Sequence, residues 1–177
     1  MRYFMGIDVG TNETKAVLIN EKCEIVAFAS RGHGLLNPQP GFFEHDAEKT
    51  WWGDFCHLSR QLLAESGVDA KDVGCVGLSA LGCDCVPVDA EGTALCNAIL
   101  YGVDSRSHKE IAWLYEYYYG KEEAERLYGH ELCSSDIAPK ILWVKNNLPE
   151  VYEKTAKFLT GSSYLCAKLT GKFTIDR

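Results

Sequence analysis

The stretch Gly6-Ile7-Asp8-Val9-Gly10-Thr11-Asn12-Glu13-Thr14-Lys15 constrains this chain more than any other. The apolar run Tyr3-Phe4-Met5-Gly6-Ile7 leads into an acid, a Gly-Thr-Asn turn follows, and a second apolar run, Ala16-Val17-Leu18-Ile19, leaves it. Two short apolar runs joined through Gly and small polar residues predict a β-hairpin. Gly10 has no Cβ, so its backbone can come close to a ligand. Turn N–H groups and the side chains of Thr11, Asn12 and Thr14 can donate to phosphate oxygens, and Lys15 can add a positive charge. Asp8 ends a strand and can hold a hard cation such as Mg²⁺ through water. A plain hairpin, with Asp and Thr bonded only to their own turn, accounts for the same residues.

The length of 177 residues suits one domain, or one and a fraction. A net charge of −7 argues against nucleic acid or a membrane surface as the main partner, yet one local nest of N–H groups can oppose the global sign. The eight cysteines form no C-x-x-C pair and no zinc framework. Cys83 and Cys85 would share a face on a strand, but no second pair completes a site. Reduced cysteines in a cytoplasmic protein are the expectation. No run reaches roughly 18 apolar residues, so no membrane span is expected, and the N-terminus lacks a signal-peptide pattern.

Further along, Ile25–Ala29 predicts a third strand and an antiparallel meander. The segment from Gly32 to Gly41 is rich in Gly and Pro and reads as a loop. Asp46 is a suitable N-cap for a helix over 47–66, with Trp51, Phe55, Leu58, Leu62 and Leu63 at helical spacing and Gly67 as its stop. Val73–Ser79 reads as a buried strand, interrupted by Ala80-Leu81-Gly82-Cys83-Asp84 and resumed at Cys85–Asp89, where Pro87 indicates an edge or bulge. Asp84 either faces a cleft or caps its turn. Asp104 can cap the following helix, and Arg106 can be a first-turn surface residue. A helix from His108 to Tyr119 carries a tyrosine cluster expected in the core. A short charged helix over 122–128 follows, then helices beginning near Pro139 and Ser162, with a strand at Phe158–Thr160 between them.

The hairpin motif Gly6-Ile7-Asp8-Val9-Gly10-Thr11 with Lys15 resembles the first phosphate loop of the actin, hexokinase and heat-shock-ATPase superfamily, and most closely the FGGY family of carbohydrate kinases. Phe43-Glu44-His45-Asp46 with Trp51-Trp52, Asn97-Ala98-Ile99-Leu100-Tyr101, Ala138-Pro139-Lys140-Ile141-Leu142-Trp143-Val144 and Thr174-Ile175-Asp176 are similar to that family's landmarks, in family order. The resemblance implies an α/β domain of RNase-H-like, actin-like ATPase type, with a mixed five-stranded sheet flanked by helices. It implies the N-terminal, sugar-binding half of an ATP- and Mg²⁺-dependent kinase over residues 1–177. A C-terminal actin-like domain of the same parent chain would supply most of the nucleotide pocket.

Phosphate contacts then fall to Gly10, Thr11, Asn12 and Lys15, and the metal and phosphates to Asp8. Contacts to a sugar or polyol fall to Gly82, Cys83, Asp84, Asp104 and Arg106. Physically, a carboxylate can accept from vicinal hydroxyls while an arginine fork donates to others. In xylulose kinases the loop holding Gly82-Cys83 carries a Met-His pair, a departure that leaves the sugar open. The family's catalytic base, an Asp in a Gly-Asp segment, falls beyond Arg177, so this chain alone is expected to lack kinase activity. The alternatives are a stand-alone sugar- or nucleotide-binding module and an ATPase or small-acid kinase of the same superfamily. Whether the protein is a homodimer is left open.

Overall fold

The structure, a computed structural model, describes residues 2–175; Asp176 of the Thr-Asp segment lies outside them. Strands β1 (Tyr3–Val9), β2 (Glu13–Asn20) and β3 (Ile25–Gly32) form the expected meander. With a later strand, β5 (Val73–Ala80), they make a mixed sheet in the order β3-β2-β1-β5, in which β5 runs parallel to β1. Among the described residues this sheet has four strands rather than five. The remaining apolar runs are too short to extend it and pair as separate ribbons. β4 (Glu44–His45) pairs with β7 (Ala98–Ile99), and β6 (Val86–Val88) pairs with β8 (Lys157–Leu159).

Alternation along the strands decides which sheet face is covered. Cross-strand partners Met5 and Leu18, Ile7 and Ala16, and Val9 and Thr14 all point into the core. They meet a helical segment that opens with a π-helical turn (Ala47–Trp52) and continues as α1 (Gly53–Ser66). Asp46 caps this segment by accepting from the Lys49 N–H at 3.0 Å, and Gly67 closes it in the left-handed region at φ 67°. Trp51, Leu58 and Leu62 are fully buried, each contributing on the order of 1.5–3 kcal/mol through burial. Helix α6 (Gly161–Thr170), capped by Thr160, packs on β5 and adds Tyr164 and Leu165 to the same core.

The opposite face lies open, with Phe28 58% exposed and Phe4 part-exposed. Strand β5 is therefore not the buried strand its apolar sequence predicts; α6 covers it only towards its end, where Leu78 and Ala80 are half-buried, and most of its other residues are solvent-exposed. Between β7 and β8 lie α2 (His108–Tyr117), α3 (Lys121–Tyr128), α4 (Ile137–Asn147) and α5 (Pro149–Lys154). Pro149 occupies the first position of α5, as its chemistry favours. The helix α2 turns one face inward, with Leu114 buried and Ile111, Tyr115 and Tyr118 half-buried, while Tyr117 and Tyr119 stand in solvent and Trp113 stacks on Tyr117. All eight cysteines are free thiols, and no described helix is long and apolar enough to cross a membrane.

Candidate active site

Parallel strands β1 and β5 end side by side, and the Leu81 N–H donates to the Val9 carbonyl at 3.2 Å. The turn after β1 and the loop after β5 therefore emerge together at the carboxyl ends of adjacent parallel strands, where ligands of open α/β sheets bind. In the turn, the Gly10 N–H donates to the Glu13 carbonyl at 3.0 Å. A Cβ on Gly10 would stand 3.0 Å from that same oxygen, so any larger residue there needs the Glu13 carbonyl to give way by a few tenths of an ångström.

Thr11 and Asn12 form the tip. Among the described residues neither of their N–H groups donates within the protein. Their carbonyls, by contrast, are all engaged from behind. His33 Nε2 lies 3.0 Å from the Gly10 oxygen, His45 Nε2 lies 3.1 Å from the Thr11 oxygen, and the His33 N–H donates to the Asn12 oxygen at 2.8 Å.

Asp8 and Lys15 are cross-strand partners on the open sheet face, beside a shallow cavity of about 370 Å³ that Val17, Phe28 and Ser79 also line. Lys15 pairs with Glu13 at 3.0 Å, which raises its pKa. Thr14 is not available to a phosphate. The two-residue period that exposes Lys15 buries Thr14 completely, and its hydroxyl donates to Asp54 Oδ2 at 2.9 Å.

On the sugar side the outcome is divided. Gly82 is exposed and Cys83 half-buried in the loop after β5. Asp84 is fully buried: Oδ1 accepts from the Tyr101 N–H at 2.8 Å, and Oδ2 has no partner. Burial pushes its carboxyl up to about 6, and no atom of it reaches the surface of the loop. Asp104 and Arg106 are likewise buried, and they are turned on each other. Arg106 Nε lies 3.0 Å from both Asp104 oxygens and Nη2 lies 2.8 Å from Oδ2. The second Asp104 oxygen also accepts from the Phe43 N–H at 2.7 Å, and Arg106 reaches Glu44 at 2.9 Å. The guanidinium sits 4.1 Å from the Phe42 ring centroid and 4.8 Å from that of Trp143. A sugar hydroxyl finds neither group free in this arrangement; the pair instead ties the segment after Leu100 to Phe43 and Glu44.

Lys140 is the residue that sequence reasoning missed here. It is fully buried in α4, where its Nζ donates to the Cys83 carbonyl at 2.6 Å and approaches that of Ser135 at 3.5 Å. Burial lowers its pKa. The signal was present: Lys140 falls between Ile137, Ile141 and Val144 on the apolar stripe of its helix, where a lysine needs a buried acceptor. Also missed were His33 and Asp54, distant in sequence and polar in loop and helix.

A three-stranded antiparallel meander joined to a parallel strand, with a glycine-containing hairpin turn at its mouth, defines an actin-like ATPase-type domain. Comparison with known proteins fixes the family. Residues 3–177 match the model of the FGGY family of carbohydrate kinases, N-terminal domain, and the chain belongs to that family. It is 29% identical over 171 residues to the xylulose kinase of Bacillus subtilis (strain 168), covering 97% of this chain and 34% of the relative. It is 30% identical over 180 residues to an autoinducer-2 kinase of Klebsiella pneumoniae subsp. pneumoniae, covering 99% and 33%. The crystal structure of a xylulose kinase from Rhodospirillum rubrum superposes with a TM-score of 0.83 at 25% identity, covering 99% of this chain and 35% of that one. The chain thus spans about a third of the length of the relatives it matches.

Proposed function

We propose that this chain forms the phosphate-loop and sugar-side part of an ATP- and Mg²⁺-dependent carbohydrate kinase, which transfers the γ-phosphoryl group of ATP to a hydroxyl of a sugar or polyol. The observation that carries this reading is the tip of the β1–β2 turn: two unengaged N–H groups stand beside an exposed carboxylate at the mouth of parallel strands. That donor set suits an anion and its cation. The Thr11 and Asn12 N–H groups and side chains would hold phosphate oxygens. Asp8, a hard oxygen ligand on the open face, would hold Mg²⁺ through water. The ion supplies neutralisation of charge on the phosphates. Lys15 would exchange Glu13 for a phosphate oxygen.

The acceptor would lie against the loop of Gly82-Cys83 and the half-exposed ring of Tyr101, both held in place by Lys140, Asp84 and the Asp104–Arg106 pair. The base that takes the hydroxyl proton would come from a second domain of the parent chain. The exposed apolar residues Phe4 and Phe28 on the open sheet face support a further covering element of that kind.

The test is ADP release by the intact parent enzyme with ATP, Mg²⁺ and a panel of ketoses and polyols, repeated with Asp8→Asn. Turnover dependent on one such acceptor, falling about 10²–10³-fold in the variant, is expected. Turnover with acetate alone would overturn the carbohydrate assignment. Phosphorylation by the 177-residue chain by itself would overturn the placement of the base elsewhere.

A further inference from the structure

The polar cluster behind the turn has no part in the proposal above, yet it determines where the turn's N–H groups point. In a trans peptide the C=O of one residue and the N–H of the next lie antiparallel in one plane. His33 draws the Gly10 carbonyl inward, so the Thr11 N–H must point outward. His45 draws the Thr11 carbonyl inward, so the Asn12 N–H must point outward as well. Two successive N–H groups thus face the same side, the arrangement of an anion-binding nest.

We propose that His33 and His45 are positioning residues, which aim the Thr11 and Asn12 N–H groups at the nucleotide phosphates by anchoring the carbonyls behind them. This rests on the assignment of the turn as a phosphate loop.

Each imidazole is fixed in turn. Trp51 Nε1–H donates to His45 Nδ1 at 3.0 Å, which leaves Nε2 as the protonated nitrogen and the ring neutral. Burial, with His33 beside it, lowers the His45 pKa to about 4. His33 is held between two oxygens, the Gly10 carbonyl 3.0 Å from Nε2 and Asp54 Oδ2 2.8 Å from Nδ1. Asp54, nearly fully buried in α1, also accepts from Thr14 of β2 and meets Arg31 of β3 at 3.3 Å. The two rings meet edge to face, with centroids 4.9 Å apart. The scaffold thus runs from α1 through His33 to Gly10, and from Trp51 through His45 to Thr11.

The test is ¹⁵N–¹H NMR on the labelled intact parent enzyme, titrated with ATP and Mg²⁺ and separately with pyrophosphate. The Thr11 and Asn12 amides are expected to move. His45 should show a neutral ring protonated at Nε2. His45→Gln, whose amide can accept from Trp51 and donate to Thr11, should bind within about twofold of the wild type. His45→Leu and His33→Leu should bind at least tenfold more weakly. If wild-type amides ignore both probes, the phosphate-loop assignment fails and this inference falls with it. If the wild type binds and both folded leucine variants bind within twofold of it, the positioning role alone is overturned. Should His45→Leu fail to fold, His33→Leu decides the matter, because Asp54 keeps Thr14 and Arg31 there.

Discussion

Nζ of Lys140 lies 2.6 Å from the carbonyl oxygen of Cys83, with no part of the lysine exposed. One buried cation therefore fastens α4 to the loop after β5, the loop that carries Gly82. Replacing it by methionine fills similar space but leaves the Cys83 carbonyl without its donor and Asp84 without the nearby positive charge that lowers its pKa. Lys140→Met should lose about 1–3 kcal/mol in urea unfolding. Amide exchange over residues 81–85 should accelerate more than exchange in β1 or α1. Equal acceleration everywhere would mean that the lysine supports the fold generally and not this loop.

Arg106 bears a different load. Its guanidinium neutralises Asp104 and Glu44 while lying between the rings of Phe42 and Trp143. Arg106→Gln strands two largely buried carboxylates and should cost about 3–5 kcal/mol. If Arg106 served a sugar directly, the variant would keep wild-type stability and the enzyme would lose only acceptor affinity, as a rise in KM. Thermal unfolding and acceptor kinetics on the same variant separate the two roles.

These two residues show what was legible in the sequence and what was not. Local features were: the meander from apolar runs, the Asp46 cap and Gly67 stop, and the Gly10 turn all depend on neighbours within a few positions. The family motifs likewise located the loops that surround the site. Partnership was not legible. Asp104 and Arg106 look the same on the page whether they face a sugar or each other, and only the fold brings Glu44 and Phe43 against them. The apolar composition of β5 could not reveal that its strand lies at a sheet edge that α6 covers only towards its end. Thr14 was an error of a different kind, because the alternation that exposes Lys15 already required its neighbour to point inward.

Gly161 opens α6 against the end of β5, and a Cβ built there would stand 2.9 Å from the Ala80 Cβ and 3.4 Å from Asp84 Oδ2. Neither neighbour is a flexible side-chain end, so the helix must shift outward. Gly161→Ala should destabilise by about 1–3 kcal/mol. Adding Ala80→Gly removes the closest contact and should recover most of the loss at the helix. A double variant no more stable than the single one would place the strain against Asp84 instead.

Asp84 and His45 make opposite demands as pH changes. The Asp84 carboxyl, raised by burial to about 6 from an ordinary value of 3.8, stays protonated in the fold while the unfolded chain has already lost its proton. Stability from this group is therefore full below about pH 4 and is lost as pH rises towards 6 and above, by roughly 2–3 kcal/mol. His45, lowered mainly by burial to about 4 from 6.5, does the reverse. Above pH 6.5 it is neutral in both states, and as pH falls towards 4 the unfolded chain gains a proton that the fold refuses, costing roughly 3 kcal/mol. In the wild type the two slopes oppose each other between pH 4 and 6. Asp84→Asn should unmask the His45 slope, so that stability rises with pH through this window. His45→Gln should unmask the Asp84 slope, so that stability falls. Urea midpoints measured at half-unit steps from pH 4 to 7.5 for the three proteins give the comparison, and parallel curves would refute both assignments.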